Sequence, residues 1–165
     1  DFFHLPEPII LRSAKRIMSL RDGKRKMSKS DISDGSRINL MDHKDEIYLK
    51  IKRAKTDQYS IPDNIHDLDN RPEALNLINI YASFSNKSAK EILQQFSGKG
   101  FSQFKESLSD LIINDISPIT KEMKHLMNNK DEIIKILIDG SSKAQEIANE
   151  VLIDIKKVIG INFKY

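Results

Sequence analysis

"KRKMSKSDISDGSR", Lys24 to Arg37, sets five cationic side chains, four serines and two aspartates into fourteen positions, with only Met27 and Ile32 to bury. A segment so poor in apolar residues cannot build a core of its own, so it is either a solvated loop or a holder of something anionic. Lysine and serine suit phosphate: the ammonium is a mobile point charge, and hydroxyls with adjacent backbone N–H groups supply short-range donors. Gly23 and Gly35 flank the stretch carrying Lys26, Ser28, Lys29 and Ser30 and would let it hinge over a polyphosphate. Neither a P-loop nor a dinucleotide-binding fingerprint occurs in the chain.

Outward from this loop, the charge distribution favours the anionic-ligand reading. Residues 12 to 37 hold nine Lys and Arg (Arg12, Lys15, Arg16, Arg21, Lys24, Arg25, Lys26, Lys29, Arg37) against three Asp (Asp22, Asp31, Asp34), a local +6. The net charge of the 165 residues is +3, so everything outside that window sums to −3. The positive field is therefore gathered at one end, where a polyanion or a phosphorylated ligand would be drawn. With no Cys and four scattered His (His4, His43, His66, His125), the chain has no thiolate site and no metal-ligand spacing, so no metal residues are expected. No apolar run approaches the roughly 18 residues of a membrane span. The start "DFFHLPEPII" lacks a basic region leading into an apolar one, which makes a cytoplasmic location the default expectation. The absence of an initiating Met and the abrupt Asp1-Phe2-Phe3 opening suggest a fragment.

Two styles of local structure are legible. Pro6 and Pro8 exclude a helix from "LPEPIIL", and "RIMSL" (Arg16 to Leu20) reads as a brief buried strand feeding the basic loop. From about residue 41 the pattern turns helical. Asp42 and Asp45 open "HKDEIYLKIKRAK", whose Ile47, Ile51 and Ala54 recur at helical spacing over about three turns. Residues 56–71 read as a loop, Pro72 as the first turn of a helix bearing Leu75, Ile78, Tyr81 and Ala82, and Ser88 with Glu91 as the capping box of "AKEILQQF", which should end at Gly98. "FSQFKESLSDLIINDI" should be helical up to a kink near Pro118. Gly140 should stop "DEIIKILID", and Ser142 with Gln145 should start a last helix running to about Gly160. Six or so helical segments after the end of an α/β layer make the chain mainly α.

The wording of the loop is more specific than its composition. "KMSKS", Lys26-Met27-Ser28-Lys29-Ser30, resembles the second signature of the class I aminoacyl-tRNA synthetases. Its context, "PEPII", "AKRIMSL", "KMSKSD", "IKRAKTD", "IYASFS" and "GKGFSQFKE" in order, resembles the bacterial tryptophanyl-tRNA synthetases over essentially the whole chain. Bacterial tyrosyl enzymes usually carry a variant signature and a separate RNA-binding domain near the C-terminus, and neither is visible here. The resemblance implies that residues 1–40 are the C-terminal end of a Rossmann-like α/β catalytic domain carrying the KMSKS loop. Residues 41–165 would then be an all-helical, anticodon-binding-like domain contacting tRNA(Trp).

The same resemblance implies activation of L-tryptophan by ATP, followed by transfer to tRNA(Trp). Lys26 and Lys29 would be catalytic, stabilising the departing pyrophosphate. ATP would be bound by Ile17 (through its backbone), Lys26, Met27 (packing under the adenine), Ser28, Lys29 and Ser30. Mg2+ would travel with the ATP phosphates and keep several waters. The full-length enzyme would be a homodimer. One departure is the approach to the loop, Arg21-Asp22-Gly23-Lys24-Arg25 where many relatives have Gln-Asp-Pro, which is expected to loosen it. Another is that the half with the His-x-Gly-His-type signature and the tryptophan pocket is expected upstream of Asp1, so the fragment alone should be inactive. The competing readings are a non-catalytic helical RNA-binding module left by truncation, and a phosphorylation-regulated basic peptide in an unrelated helical protein.

Overall fold

A computed structural model describes Phe3, residues 5–9 and residues 15–161. Residues 5–9 are neither helix nor strand, as the two prolines require, while Ile10, Leu11 and Arg12 lie outside the described residues. The described residues form five α-helices: α1 (Lys44–Lys52), α2 (Pro72–Ser85), α3 (Ala89–Phe96), α4 (Phe101–Asn128) and α5 (Lys130–Val158). Two short 3-10 turns, Asp34–Ser36 and Ile65–Leu68, interrupt the connections. The chain divides into two compact units, Asp1–Thr120 and Lys121–Tyr165. Among the described residues no helix is long and apolar enough to cross a membrane.

The first unit is built on the helical periodicity of its sequence. Ile47, Ile51 and Ala54 are buried along one side of α1 and its exit, and Ile78, Tyr81 and Ala82 along α2. The α1 start is fixed by Glu46, whose carboxylate accepts from the His43 N–H at 2.7 Å. Pro72 occupies the first turn of α2, where its missing N–H costs nothing. Ser88 and Glu91 form the reciprocal capping box at α3, with Glu91 N–H on Ser88 Oγ and Ser88 N–H on the Glu91 carboxylate. Gly98, at φ +74°, ends that helix as its sequence position predicts. Tyr81, Phe96, Phe101 and Phe104 then interlock with ring centroids 5.0–6.0 Å apart, tying α2, α3 and the start of α4 into one aromatic core.

Four local expectations are corrected. The "RIMSL" strand is an isolated antiparallel bridge, Met18 with Lys26, and there is no strand among the described residues. The reason is visible in its hydrogen bonds. The side-chain amide of Asn76 on α2, itself buried, accepts from the Met18 N–H and donates to the Met18 carbonyl, both at 2.9 Å. Leu20 N–H goes to the Ser36 carbonyl and Leu20 C=O accepts from the Lys55 N–H, so no ladder can propagate. Second, the loop over residues 56–71 contains the 3-10 turn Ile65–Leu68, whose Leu68 is fully buried.

Third, α4 runs through Pro118 to Asn128. Pro118 faces solvent, while Ile112, Ile116 and Thr120 stay buried on the opposite side, and the Thr120 hydroxyl donates to the Leu40 carbonyl at 2.6 Å. Tertiary burial outweighs the lost backbone bond. Fourth, within the second unit Gly140 does not end its helix and Ser142 does not start one, because α5 is continuous across both. Lys143 and Asp139 pair at 2.7 Å over the glycine. The helix stops at Gly160, φ +74°, where Ile161 N–H reaches the Lys156 carbonyl and Gly160 N–H the Lys157 carbonyl, a Schellman ending.

Candidate functional site

The six residues singled out from the sequence lie on two short segments held against each other. Ile17 and Met27 are joined directly, the Met27 N–H donating to the Ile17 carbonyl at 3.0 Å, and Ser19 N–H donates to the Arg25 carbonyl at 2.8 Å. Both Ile17 and Met27 are half-buried and pack on the hydrophobic core. Their side chains thus tether the base of the loop, while Lys26, Ser28, Lys29 and Ser30 are exposed.

The exposed residues form a turn rich in donors. Asp31 N–H bonds the Ser28 carbonyl, Ser30 N–H the Ser28 hydroxyl, and the two serine hydroxyls lie 3.0 Å apart. Among the described residues Lys26 and Lys29 make no ion pair. The neighbouring arginines are engaged: Arg25 pairs with Asp31 at 3.8 Å, Arg37 with Asp34 at 3.2 Å, and the Arg21 guanidinium donates to the Arg53 carbonyl, while Lys24, two residues before the motif, is exposed and makes no ion pair among the described residues. The turn therefore offers two uncommitted ammonium groups beside hydroxyl and amide donors, an arrangement chemically suited to phosphate oxygens.

The glycines that flank the loop serve packing. A Cβ on Gly23 would fall 2.5 Å from the Glu73 nitrogen and the Pro72 carbonyl carbon, so only glycine lets this turn lie on the start of α2. One on Gly35 would meet the Arg21 guanidinium at 2.9 Å. The approach to the loop is likewise tight, with Asp22 Oδ1 accepting from the Lys24 N–H at 2.9 Å and the Asp22 carbonyl from the Arg25 N–H. Arg21-Asp22-Gly23-Lys24-Arg25 is thus a closed turn, contrary to the loosening expected from its sequence.

Both arms of the loop end in lysine–carboxylate staples that the sequence analysis did not find. Beside the incoming arm, whose Leu20 carbonyl accepts from the Lys55 N–H, Lys55 Nζ lies 2.8 Å from Glu73 in the first turn of α2. The Lys55 hydrogen bond holds the Glu73 carboxyl below the usual range against the opposing effect of burial, and the Gly23 N–H adds to it. On the outgoing arm, Lys50 of α1 is only 8% exposed and reaches Asp34 at 2.7 Å and Asp42 at 2.6 Å. Burial alone would lower the Lys50 pKa, but the hydrogen bonds to the two aspartates outweigh it and hold it above the usual lysine value. Asp34 is correspondingly lowered, chiefly by Lys50 and then by Asn39.

A separate cleft of about 490 Å3 opens beside the aromatic core, where Tyr48, Lys52, Tyr59 and Lys105 line it. It contains none of the signature residues. Lys105, whose pKa burial lowers, spends two donors on the Ala54 carbonyl and the Thr56 hydroxyl.

Residues 1–115 match the family described as tRNA synthetases class I (W and Y). Curated relatives include the tryptophan–tRNA ligases of Brucella melitensis and Rhizobium meliloti, 46% and 47% identical over 159 residues. In each case the alignment covers 96% of this chain and 45% of the relative. The Rickettsia felis ligase is 46% identical over 160 residues, 97% of this chain and 48% of its own length. The chain thus spans about half the length of the curated relatives it matches. Solved structures of similar fold include tryptophanyl-tRNA synthetase from Mycoplasma pneumoniae, with a TM-score of 0.75, 23% identity and coverage of 93% of this chain and 47% of that one. The Campylobacter jejuni enzyme, complexed with ADP and tryptophan, gives a TM-score of 0.64 at 24% identity, over 96% of this chain and 48% of that one. A family match covering more than half of the chain, on the segment that carries the KMSKS turn, makes this chain a member of the class I tRNA synthetases of the tryptophan and tyrosine group.

Proposed function

We propose that the chain is the C-terminal part of a tryptophan–tRNA ligase. Residues 1–40 complete its catalytic domain, and residues 41–165 form the helical domain that meets tRNA(Trp). The substrates are ATP, L-tryptophan and the tRNA. The tryptophan carboxylate attacks the α-phosphate of ATP, pyrophosphate leaves, and the terminal adenosine of the tRNA then accepts the aminoacyl group. Mg2+ enters with the ATP phosphates. The reading includes a cytoplasmic enzyme that is a homodimer when full-length, and a partner half that holds the tryptophan pocket.

The observation that carries this reading is the pair of uncommitted ammonium groups on the exposed turn. Charge accumulates on the β- and γ-phosphates as the P–O bond to the α-phosphate breaks, and donors poised for that charge lower the barrier more than they strengthen ground-state binding. Lys26 and Lys29 take that role. Ser28 and Ser30 orient the turn and donate to phosphate oxygens, Met27 packs under the adenine, and Ile17 approaches the nucleotide through its backbone.

ATP–pyrophosphate exchange tests the proposal. The chain is assayed alone and with the part of the Rickettsia felis ligase that it does not span, supplied as a separate polypeptide. Tryptophan-dependent exchange should appear only in the mixture. A mixture that forms a complex yet shows no exchange, while the chain alone binds tRNA, would favour the non-catalytic RNA-binding module.

A further inference from the structure

We propose that Lys50 is a positioning residue for the signature turn, acting through Asp34 to hold the outgoing arm of the loop on α1. The inference rests on the synthetase reading above and adds a residue outside the KMSKS motif to its machinery.

The connection is continuous. Lys50 Nζ bridges Asp34 Oδ2 on the loop and Asp42 Oδ2 ahead of α1. Asn39 Nδ2 donates to the remaining oxygens of both aspartates, at 3.0 and 3.1 Å, and Asn39 N–H donates to Asp42 Oδ2 at 2.8 Å. Asp34 also pairs with Arg37, whose guanidinium donates to the Asp31 carbonyl at 2.9 Å, to the Ser33 carbonyl at 3.4 Å and to Asn39 Oδ1 at 3.1 Å. Asp31 directly follows Ser30, the last signature residue. The helix thus reaches the end of the turn through the buried Lys50 ammonium, the Asp34 carboxylate and the Arg37 guanidinium on the Asp31 carbonyl. Displacing Asp34 would release the arm that aims Lys29, and errors of about 1 Å at a reacting centre can lower rates about 100-fold.

Asp34 is the cleaner site to test, because its side chain is largely exposed and its replacement leaves Lys50 paired with the buried Asp42. In the reconstituted exchange assay, Asp34→Asn should lower kcat about tenfold or more with the KM for tryptophan unchanged. Lys50→Arg, which retains the charge, should recover most of the activity lost in Lys50→Met. Lys143→Met, which breaks an exposed helix pair in the second unit, should change nothing. On the chain alone, Asp34→Asn should speed amide exchange across residues 31–37 while α2 and α3 keep their protection.

Unchanged exchange over residues 31–37 would overturn the anchor. Faster exchange with an unaltered kcat would overturn its role in positioning. If the unsubstituted mixture is itself inactive, the synthetase reading fails, and amide exchange on the chain still decides whether Lys50 and Asp34 hold the arm.

Discussion

Glu73 illustrates how single residues fix the site without belonging to its motif. Its carboxylate accepts from Lys55 and from the Gly23 N–H, so it locks the incoming arm of the loop to the first turn of α2. The pKa of Glu73 lies below the ordinary 4.5, so the stabilisation is complete above that value and is lost as pH falls through the folded-state value. Urea unfolding of the unsubstituted chain should therefore lose stability below pH 4.5 more steeply than that of Glu73→Gln, which cannot titrate. Parallel acid limbs would show that the pair contributes nothing. The five signature residues were legible because their order is distinctive. Glu73, Asn76 and Lys50 were not, because isolated polar residues on helices 20 or more positions after the last signature residue leave no spacing that sets them apart from a solvated face.

At the scale of elements, the capping signals of α2 and α3 and the end of α5 were legible, whereas α1 starts at the His43–Glu46 pair and not at the Asp42 and Asp45 that its sequence suggested. Ser88 with Glu91, Pro72, Gly98 and Gly160 all sit at the helix ends expected of them. Pro118 and Gly140 carry equally strong local signals and end nothing. In α4 the buried Ile112, Ile116 and Thr120 supply tertiary stabilisation that a local reading cannot weigh, and in α5 an exposed glycine costs only about 1 kcal/mol relative to alanine. The same reasoning gives a prediction for α4. Because Pro118 is exposed and leaves the Asn114 carbonyl without its helical partner, Pro118→Ala should stabilise the chain by about 1–3 kcal/mol in urea denaturation. A destabilised variant would mean that the proline shapes the helix in a way its packing requires. The "RIMSL" segment failed for a different reason: three apolar residues and a serine after Arg16 permit a strand, but only the position of Asn76 shows that the backbone bonds of Met18 are taken by a side chain.

For the whole molecule, the resemblance on the sequence and the family match agree on the class I synthetase group, while the half-length coverage of the relatives makes catalysis a property to be tested in a reconstituted pair. The central claim is that the two unpaired lysines of the turn meet the negative charge of departing pyrophosphate. Lys24 is the natural control, since it is exposed on the same loop but lies two residues before the motif. Single-turnover tryptophanyl-adenylate formation should be followed in the reconstituted pair at two salt concentrations, for Lys29→Ala and Lys24→Ala. Lys29→Ala should slow the step about 100-fold with little change in tryptophan affinity or salt dependence, and Lys24→Ala should have a far smaller effect. Equal, small and salt-sensitive losses in the two variants would mean that the loop is a screened basic tether and that its lysines do no chemistry.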